Sequence, residues 1–119
     1  MKLLITFVTL LSLWFSPVLL AQEHVKGCIK YQRANDTISH WYKVRGTILE
    51  GQTINQKAKE KGYFANFNPQ DSYYVVSWKK GGYSVLKLKS QGKLPQVETK
   101  TTDQVGKTWF IKASWQNCN

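Results

Sequence analysis

Residues 72–90 read SYYVVSWKKGGYSVLKLKS. Two runs that are rich in β-branched and aromatic residues flank Lys80, Gly81 and Gly82. Such runs favour strands, and the two glycines tolerate the positive φ angles that tight hairpin turns need. The stretch therefore predicts a β-hairpin and indicates a fold built from antiparallel strands.

Alternation of apolar and polar residues continues on both sides of this hairpin. In residues 40–49 the even positions are mostly apolar, whereas the odd positions include Lys43 and Arg45. In residues 107–115 the odd positions are apolar, from Trp109 to Trp115. A period of two is typical of half-buried strands. Further strands are therefore predicted at 25–33, 40–49, 97–101 and 107–115.

One segment departs from this alternation. Thr53 and Gln56 have the spacing of a capping box, and Gly62 fits the position just after a helix. We therefore expect one short helix near 53–61. Taken together, the pattern predicts an all-β or mainly β fold, a small antiparallel barrel or two-layer sandwich of about five or six strands. A single open sheet would leave its second face and its edges unprotected.

The amino terminus has the composition of an export signal. After Met1 and Lys2, residues 3–21 carry no charge and are rich in Leu, Val, Ile and Phe, with Pro17 near their end and a small residue, Ala21, at the boundary. A membrane anchor of this length is the alternative, but the proline and the small residue favour cleavage after Ala21. We expect residues 1–21 to be removed and residues 22–119 to form a single small domain that is periplasmic or secreted.

The two cysteines lie near the two ends of this predicted domain, at Cys28 and Cys118. In the oxidising compartment that export implies, such a pair is expected to form a disulfide. A reactive or metal-bound thiol needs neighbours that this sequence does not offer. We therefore predict a structural disulfide that closes the domain.

Basic residues dominate the charge of the chain. Lys and Arg number 17 against 7 Asp and Glu, which gives a net charge of +10. If the hairpin loop holds an even number of residues, one side of the hairpin combines aromatic rings with lysines, and Tyr73, Val75, Leu86 and Leu88 form the opposite, core side. The strand at 40–49 repeats that aromatic and basic mixture. The predicted binding residues are Trp41, Lys43, Arg45, Tyr74, Trp78, Tyr83, Lys87 and Lys89.

Rings interleaved with cations suit an anionic partner, which makes an acidic protein, an acidic glycan, a nucleic acid or the anionic cell envelope candidate partners. The alternative interpretation of this face is an ordinary solvated sheet on which lysine methylenes cover aromatic rings. We find no catalytic motif, no metal-binding spacing and no cofactor fingerprint, and the histidines are limited to His24 and His40.

Three functions remain open on these grounds. The favoured one is a non-enzymatic exported binding or inhibitor module that contacts an anionic partner. A small secreted hydrolase of polyanions, such as a ribonuclease using His40 with lysines, is the second. The third is a structural or assembly component of the cell envelope.

Overall fold

The computed structural model describes residues 24–118, so the predicted signal peptide at 1–21 lies outside the described residues. Six antiparallel strands form a nearly closed barrel that carries one short helix, which confirms the predicted fold class. The elements in chain order are β1 (Val25–Tyr31), β2 (Tyr42–Glu50), α1 (Gly51–Glu60), β3 (Ser72–Ser77), β4 (Tyr83–Lys87), β5 (Thr99–Thr102), β6 (Thr108–Lys112) and a 3₁₀ turn (Trp115–Asn117).

The strand order around the barrel is β4-β3-β2-β1-β6-β5. Side chains of β5 and the following turn join the two edge strands. The amide of Gln104 donates to the Tyr83 carbonyl at 2.7 Å and accepts the Val85 N–H at 2.9 Å. Thr101 Oγ1 donates to the Lys87 carbonyl at 2.6 Å. These bonds satisfy polar groups on the β4 edge that an open sheet would leave unpaired.

The core lies inside the barrel and is built from alternate residues of the strands. It contains Ile29 of β1, Val44 of β2, Leu86 of β4 and Ile111 of β6. The predicted inward face of residues 40–49 is confirmed, because Val44 and Gly46 are buried while the flanking odd positions point outward. Burying these alternating faces is the main source of stability in such a fold.

Tyr74 occupies the centre of this core and is 0% exposed. Its hydroxyl accepts the Gly46 N–H at 3.0 Å and donates to the Val25 carbonyl at 2.5 Å. Val25 and Gly46 are register partners in β1 and β2, so the hydroxyl bridges two backbone groups of opposite strands. A Cβ at Gly46 would lie 2.7 Å from the Tyr74 ring, which explains a glycine in the middle of β2.

The hairpin at 72–90 is confirmed, but its loop contains an odd number of residues. Ser77 pairs with Tyr83, which leaves a loop at 78–82 in which Gly81 and Gly82 adopt positive φ angles of 96° and 85°. Tyr74 therefore faces the core together with Leu86. The predicted core face that combined Tyr73 and Val75 with Leu86 is wrong, because that arrangement needs an even loop.

The helix begins at Gly51, earlier than predicted, and the capping box of Thr53 and Gln56 does not form its start. Instead, backbone carbonyls of the following loop receive the first helical N–H groups: Gly51 donates to Asp71 at 2.9 Å and Gln52 to Pro69 at 3.2 Å. Tertiary contacts thus replace a local cap. The predicted helix end is confirmed, since Gly62 follows it with a φ angle of 81°.

A disulfide joins Cys28 and Cys118, as predicted, with Cα atoms 5.6 Å apart and 90 positions between them in sequence. Closing so long a loop stabilises the fold by about 4 to 5 kcal/mol in the loop-entropy estimate. Cys28 lies on the outward side of β1, opposite Lys43 and Lys112, so the bond holds the 3₁₀ turn against the outside of the barrel.

None of the helices within residues 24–118 combines the length and the apolar character that crossing a membrane requires.

Candidate binding face

The structure divides the predicted binding residues among several places. Trp41, Lys43 and Arg45 lie together on the outside of the barrel, beside β1. Trp78 packs at one end of the barrel interior. Tyr74 is enclosed in the core, so it cannot contribute to an accessible face.

The other three predicted residues lie on or just beyond β4. Tyr83 and Lys87 point away from the core, and Lys87 Nζ lies 3.4 Å from Asp71 Oδ2. Lys89 is exposed beyond the end of the strand. The expectation that Tyr74 and Trp78 share one side of the hairpin with Tyr83 and Lys87 is wrong, because the odd loop places them on opposite sides.

Sheet order assembles a different set of residues around Trp41, Lys43 and Arg45. Strand β1 lies between β2 and β6, so the outward residues of three neighbouring strands meet. Lys26 is opposite Arg45, Cys28 is opposite both Lys43 and Lys112, and Lys30 is opposite Phe110. We name the resulting surface the cationic face; it comprises Lys26, Lys30, Trp41, Lys43, Arg45, Lys100, Phe110, Lys112 and Trp115.

Trp115 lies at one end of the cationic face. Three cations surround its half-buried ring: Lys26 Nζ at 4.6 Å, Lys43 Nζ at 5.5 Å and the Arg45 guanidinium carbon at 5.7 Å from the centroid. Contacts of this kind stabilise a cation by about 0.5 to 1 kcal/mol at exposed sites. The ring therefore helps to hold three positive charges close together.

Trp115 was predicted to point inward from a strand at 107–115, and this prediction is wrong. Strand β6 ends at Lys112, and the backbone N–H of Ala113 donates to the Pro95 carbonyl at 2.7 Å. The chain then enters the 3₁₀ turn that the disulfide holds on the outside of the barrel. Trp115 consequently lies on the outer surface, and the disulfide positions part of the candidate site.

Trp41 organises the other end of the cationic face. Lys30 Nζ lies 4.2 Å and Lys112 Nζ 4.5 Å from its ring centroid, and Lys30 also approaches the Phe110 ring at 5.7 Å. Lys30 is held further by an ion pair of 2.9 Å with Glu98. The cationic face thus carries six cations, and the ion pair adds one carboxylate, that of Glu98, beside them. The local potential is therefore strongly positive.

Neither histidine belongs to the set of residues that forms the cationic face. His24 and His40 are exposed, and the His40 ring contacts Tyr42 with centroids 4.2 Å apart. Among residues 24–118, no group of three or more His, Cys, Asp or Glu side chains is placed to hold a metal ion.

Comparison of the chain with protein-family models, with curated proteins and with solved structures finds no match. Function is therefore inferred from the geometry of the molecule itself.

Proposed function

We propose that the protein is an exported, non-enzymatic binding module whose cationic face holds an acidic glycan chain. The observation that carries this proposal is the pairing of rings and cations: each of the three rings on the face has a lysine or arginine charge within 6 Å of its centroid. These contacts restrain flexible cations on one continuous surface. A chain with repeated negative charges can then pair with several of them at once.

The same contacts favour a glycan over a single-stranded nucleic acid. Nucleic-acid platforms use bare aromatic faces on which successive bases stack. Here two ammonium groups lie against the Trp41 ring and three cations lie near the Trp115 ring. Binding by these rings would require the lysines to leave first.

The composition of the face also favours a glycan over an acidic protein. Five of its six cations are lysines, and lysine is depleted in protein–protein interfaces, where arginine is enriched. An ammonium group acts as a hydrated point charge on a flexible stem. That property suits a solvated polyanionic chain better than a dry protein interface.

Export is supported by two independent features. The sequence predicts a cleavable signal at 1–21, and the disulfide between Cys28 and Cys118 is of a kind that persists in oxidising compartments. Acidic polymers are partners that a periplasmic or secreted protein would meet at a cell surface.

Three probes of similar negative charge test the proposal: an octamer of galacturonate, a single-stranded dT octamer and an octapeptide of glutamate. Binding is measured by calorimetry at low and at physiological salt. The test variant is Lys26→Ala/Lys43→Ala/Arg45→Ala, and the control variant, Lys59→Ala/Lys61→Ala/Lys93→Ala, removes the same charge from exposed positions elsewhere.

We expect the galacturonate octamer to bind best and the test variant to weaken it roughly 10- to 100-fold, from about 0.5 to 1 kcal/mol per lost contact. The control variant should change binding by less than about threefold. Equal loss in both variants would indicate attraction by net charge alone. Tighter binding of the dT octamer or of the glutamate peptide would contradict the glycan assignment.

A further inference from the structure

Four aromatic rings form a cluster at one end of the barrel, in or against its core. Trp78 and Trp109 stack with centroids 6.0 Å apart, and Tyr31 lies 5.4 Å from Trp109. Tyr42 completes the cluster at 6.1 Å from both Tyr31 and Trp78. The rings touch one another, so a ligand would lie against the cluster and not between its members.

Hydrogen bonds hold both tryptophans of this cluster in place. The Trp78 indole N–H donates to Ser84 Oγ at 2.8 Å, and the Trp109 indole N–H donates to Asp103 Oδ2 at 2.9 Å. Both polar atoms are thus satisfied within the protein. The ring cluster is a prearranged surface that needs no partner of its own to be stable.

A cavity of about 940 Å³ opens onto these rings, and we name it the mouth cavity. The pairing of β2 with β3 begins at Glu50 and Ser72 and ends at Thr47 and Val75. Beyond that point the two strands separate, and the cavity lies between them. Its walls also include the hairpin loop and the turn before β6. A volume of this size is within the range of small-molecule sites.

The rim of the mouth cavity is positively charged. Lys107 Nζ lies 3.9 Å from the centroid of Tyr31, and Lys79 and Lys80 line the opening. The carboxylate on this rim, Asp103, already accepts the N–H groups of Val105 and Lys107 as well as the Trp109 indole N–H. The cations of the wall, which also include Lys43 and Arg45, are therefore the charges that remain for a ligand.

Tyr42 adds a neutral hydroxyl to the same site. Burial raises the pKa of Tyr42 above its ordinary value, and the neighbouring Tyr31 raises it further, whereas the Arg33 guanidinium lowers it. Since the net shift is upward, the hydroxyl keeps its proton at neutral pH and adds no negative charge to the rim.

We infer that the mouth cavity is a second binding site, for a small anion that carries a flat aromatic body, such as an aromatic carboxylate. The aromatic body packs on the half-buried rings of Tyr42 and Trp78, because Trp109 is only 4% exposed, and the carboxylate meets Lys107 at the rim. This site differs from the cationic face in its ring cluster and in its ligand class, and the two share Lys43 and Arg45, which line the mouth cavity as well.

The experiment uses naphthalene-2-carboxylate as the probe and follows the four tryptophan indole N–H signals of the folded domain by NMR. Trp78 and Trp109 report on the mouth cavity, and Trp41 and Trp115 report on the cationic face. We expect shifts of the first pair only. Shifts confined to the second pair, or no shift at millimolar probe, would overturn the inference.

Charge selectivity is tested with 2-naphthylmethylammonium, which has the same rings and the opposite charge. It should bind at least tenfold more weakly than the carboxylate, and equal binding would overturn the inference. The Lys107→Gln variant should weaken the carboxylate about tenfold, while Lys93→Gln, exposed and distant from the cavity, should not. The Lys26→Ala/Lys30→Ala/Lys100→Ala variant, at residues of the cationic face that do not line the cavity, should retain wild-type affinity for this probe even if the glycan proposal fails.

Discussion

Replacing Tyr74 by phenylalanine removes one hydroxyl that links three strands of the barrel. The ring of Tyr74 belongs to β3, whereas its hydroxyl partners, the Val25 carbonyl and the Gly46 N–H, belong to β1 and β2. Phenylalanine keeps the ring and its packing, so the substitution isolates the two hydrogen bonds.

The expected loss follows from the burial of these partners. Gly46 is buried and Val25 is half-buried, so neither group regains full access to water when the hydroxyl is removed. An unsatisfied buried group costs about 1 to 3 kcal/mol and a lost neutral hydrogen bond about 1 kcal/mol. We expect Tyr74→Phe to lower the free energy of unfolding by about 2 to 3 kcal/mol, with a Tm decrease of about 10 to 20 °C.

The effect should also depend on pH. Burial raises the pKa of Tyr74 to about 12, above the ordinary value of 10.0. Below pH 10 both the folded and the unfolded chain keep this proton, and the full stability is present. Above pH 10 the unfolded chain releases the proton first, so stability falls as the pH approaches 12. The loss is about 1.4 kcal/mol by pH 11.

Urea unfolding, followed by tryptophan fluorescence at pH 8.5 and pH 11, measures both effects. The Tyr74→Phe variant lacks the titrating group and does not lose stability by this route. Its deficit in the free energy of unfolding relative to wild type should therefore shrink from about 2 to 3 kcal/mol at pH 8.5 to about 1 kcal/mol at pH 11. Tyr63→Phe, at a side chain that is 73% exposed, is the matched control and should equal wild type at both pH values. A Tyr74→Phe deficit below 0.5 kcal/mol, on the order of surface substitutions, or one that does not shrink, would refute this account of the core.

Two further predictions concern how the barrel is closed. Gln104→Ala should lower the free energy of unfolding by about 1 to 2 kcal/mol. It should also speed hydrogen exchange at the Val85 amide, because Gln104 Oε1 accepts that N–H. Unchanged exchange would show that the Gln104 side chain does not close this edge. Cys28→Ser with Cys118→Ser should cost about 4 kcal/mol of stability and also weaken glycan binding, because the disulfide holds Trp115 on the cationic face; in the folded double variant, full affinity by calorimetry would separate the disulfide from the site.

The fold class was predictable because alternation in this sequence is regular. In residues 42–48 the apolar side chains of Tyr42, Val44 and Ile48 all lie on one face, and β2 turns that face inward. Residues 73–76 read YYVV, so both faces are apolar and alternation cannot decide which tyrosine is internal. The odd loop at 78–82 decides it, and loop length depends on where strand pairing ends.

The candidate site was only partly predictable. Lys43 and Arg45 were recognised on the outward side of one strand, but their partners Lys26 and Lys112 lie on two other strands, and β6, which carries Lys112, is distant in sequence. Strand order, which local spacing does not encode, brings them together. The position of Trp115 was predicted wrongly because its ring does not follow strand alternation. The disulfide and the 3₁₀ turn determine where it points.

The position of a bound acidic glycan on the barrel tests the central claim most directly. Galacturonate octamer is titrated into the folded domain while the indole N–H signals of Trp41, Trp78, Trp109 and Trp115 are recorded by NMR. The proposed face predicts saturable shifts at Trp41 and Trp115 that weaken with added salt, with Trp78 and Trp109 unchanged. Shifts restricted to Trp78 and Trp109, or no saturable shift at either pair at low salt, would contradict it.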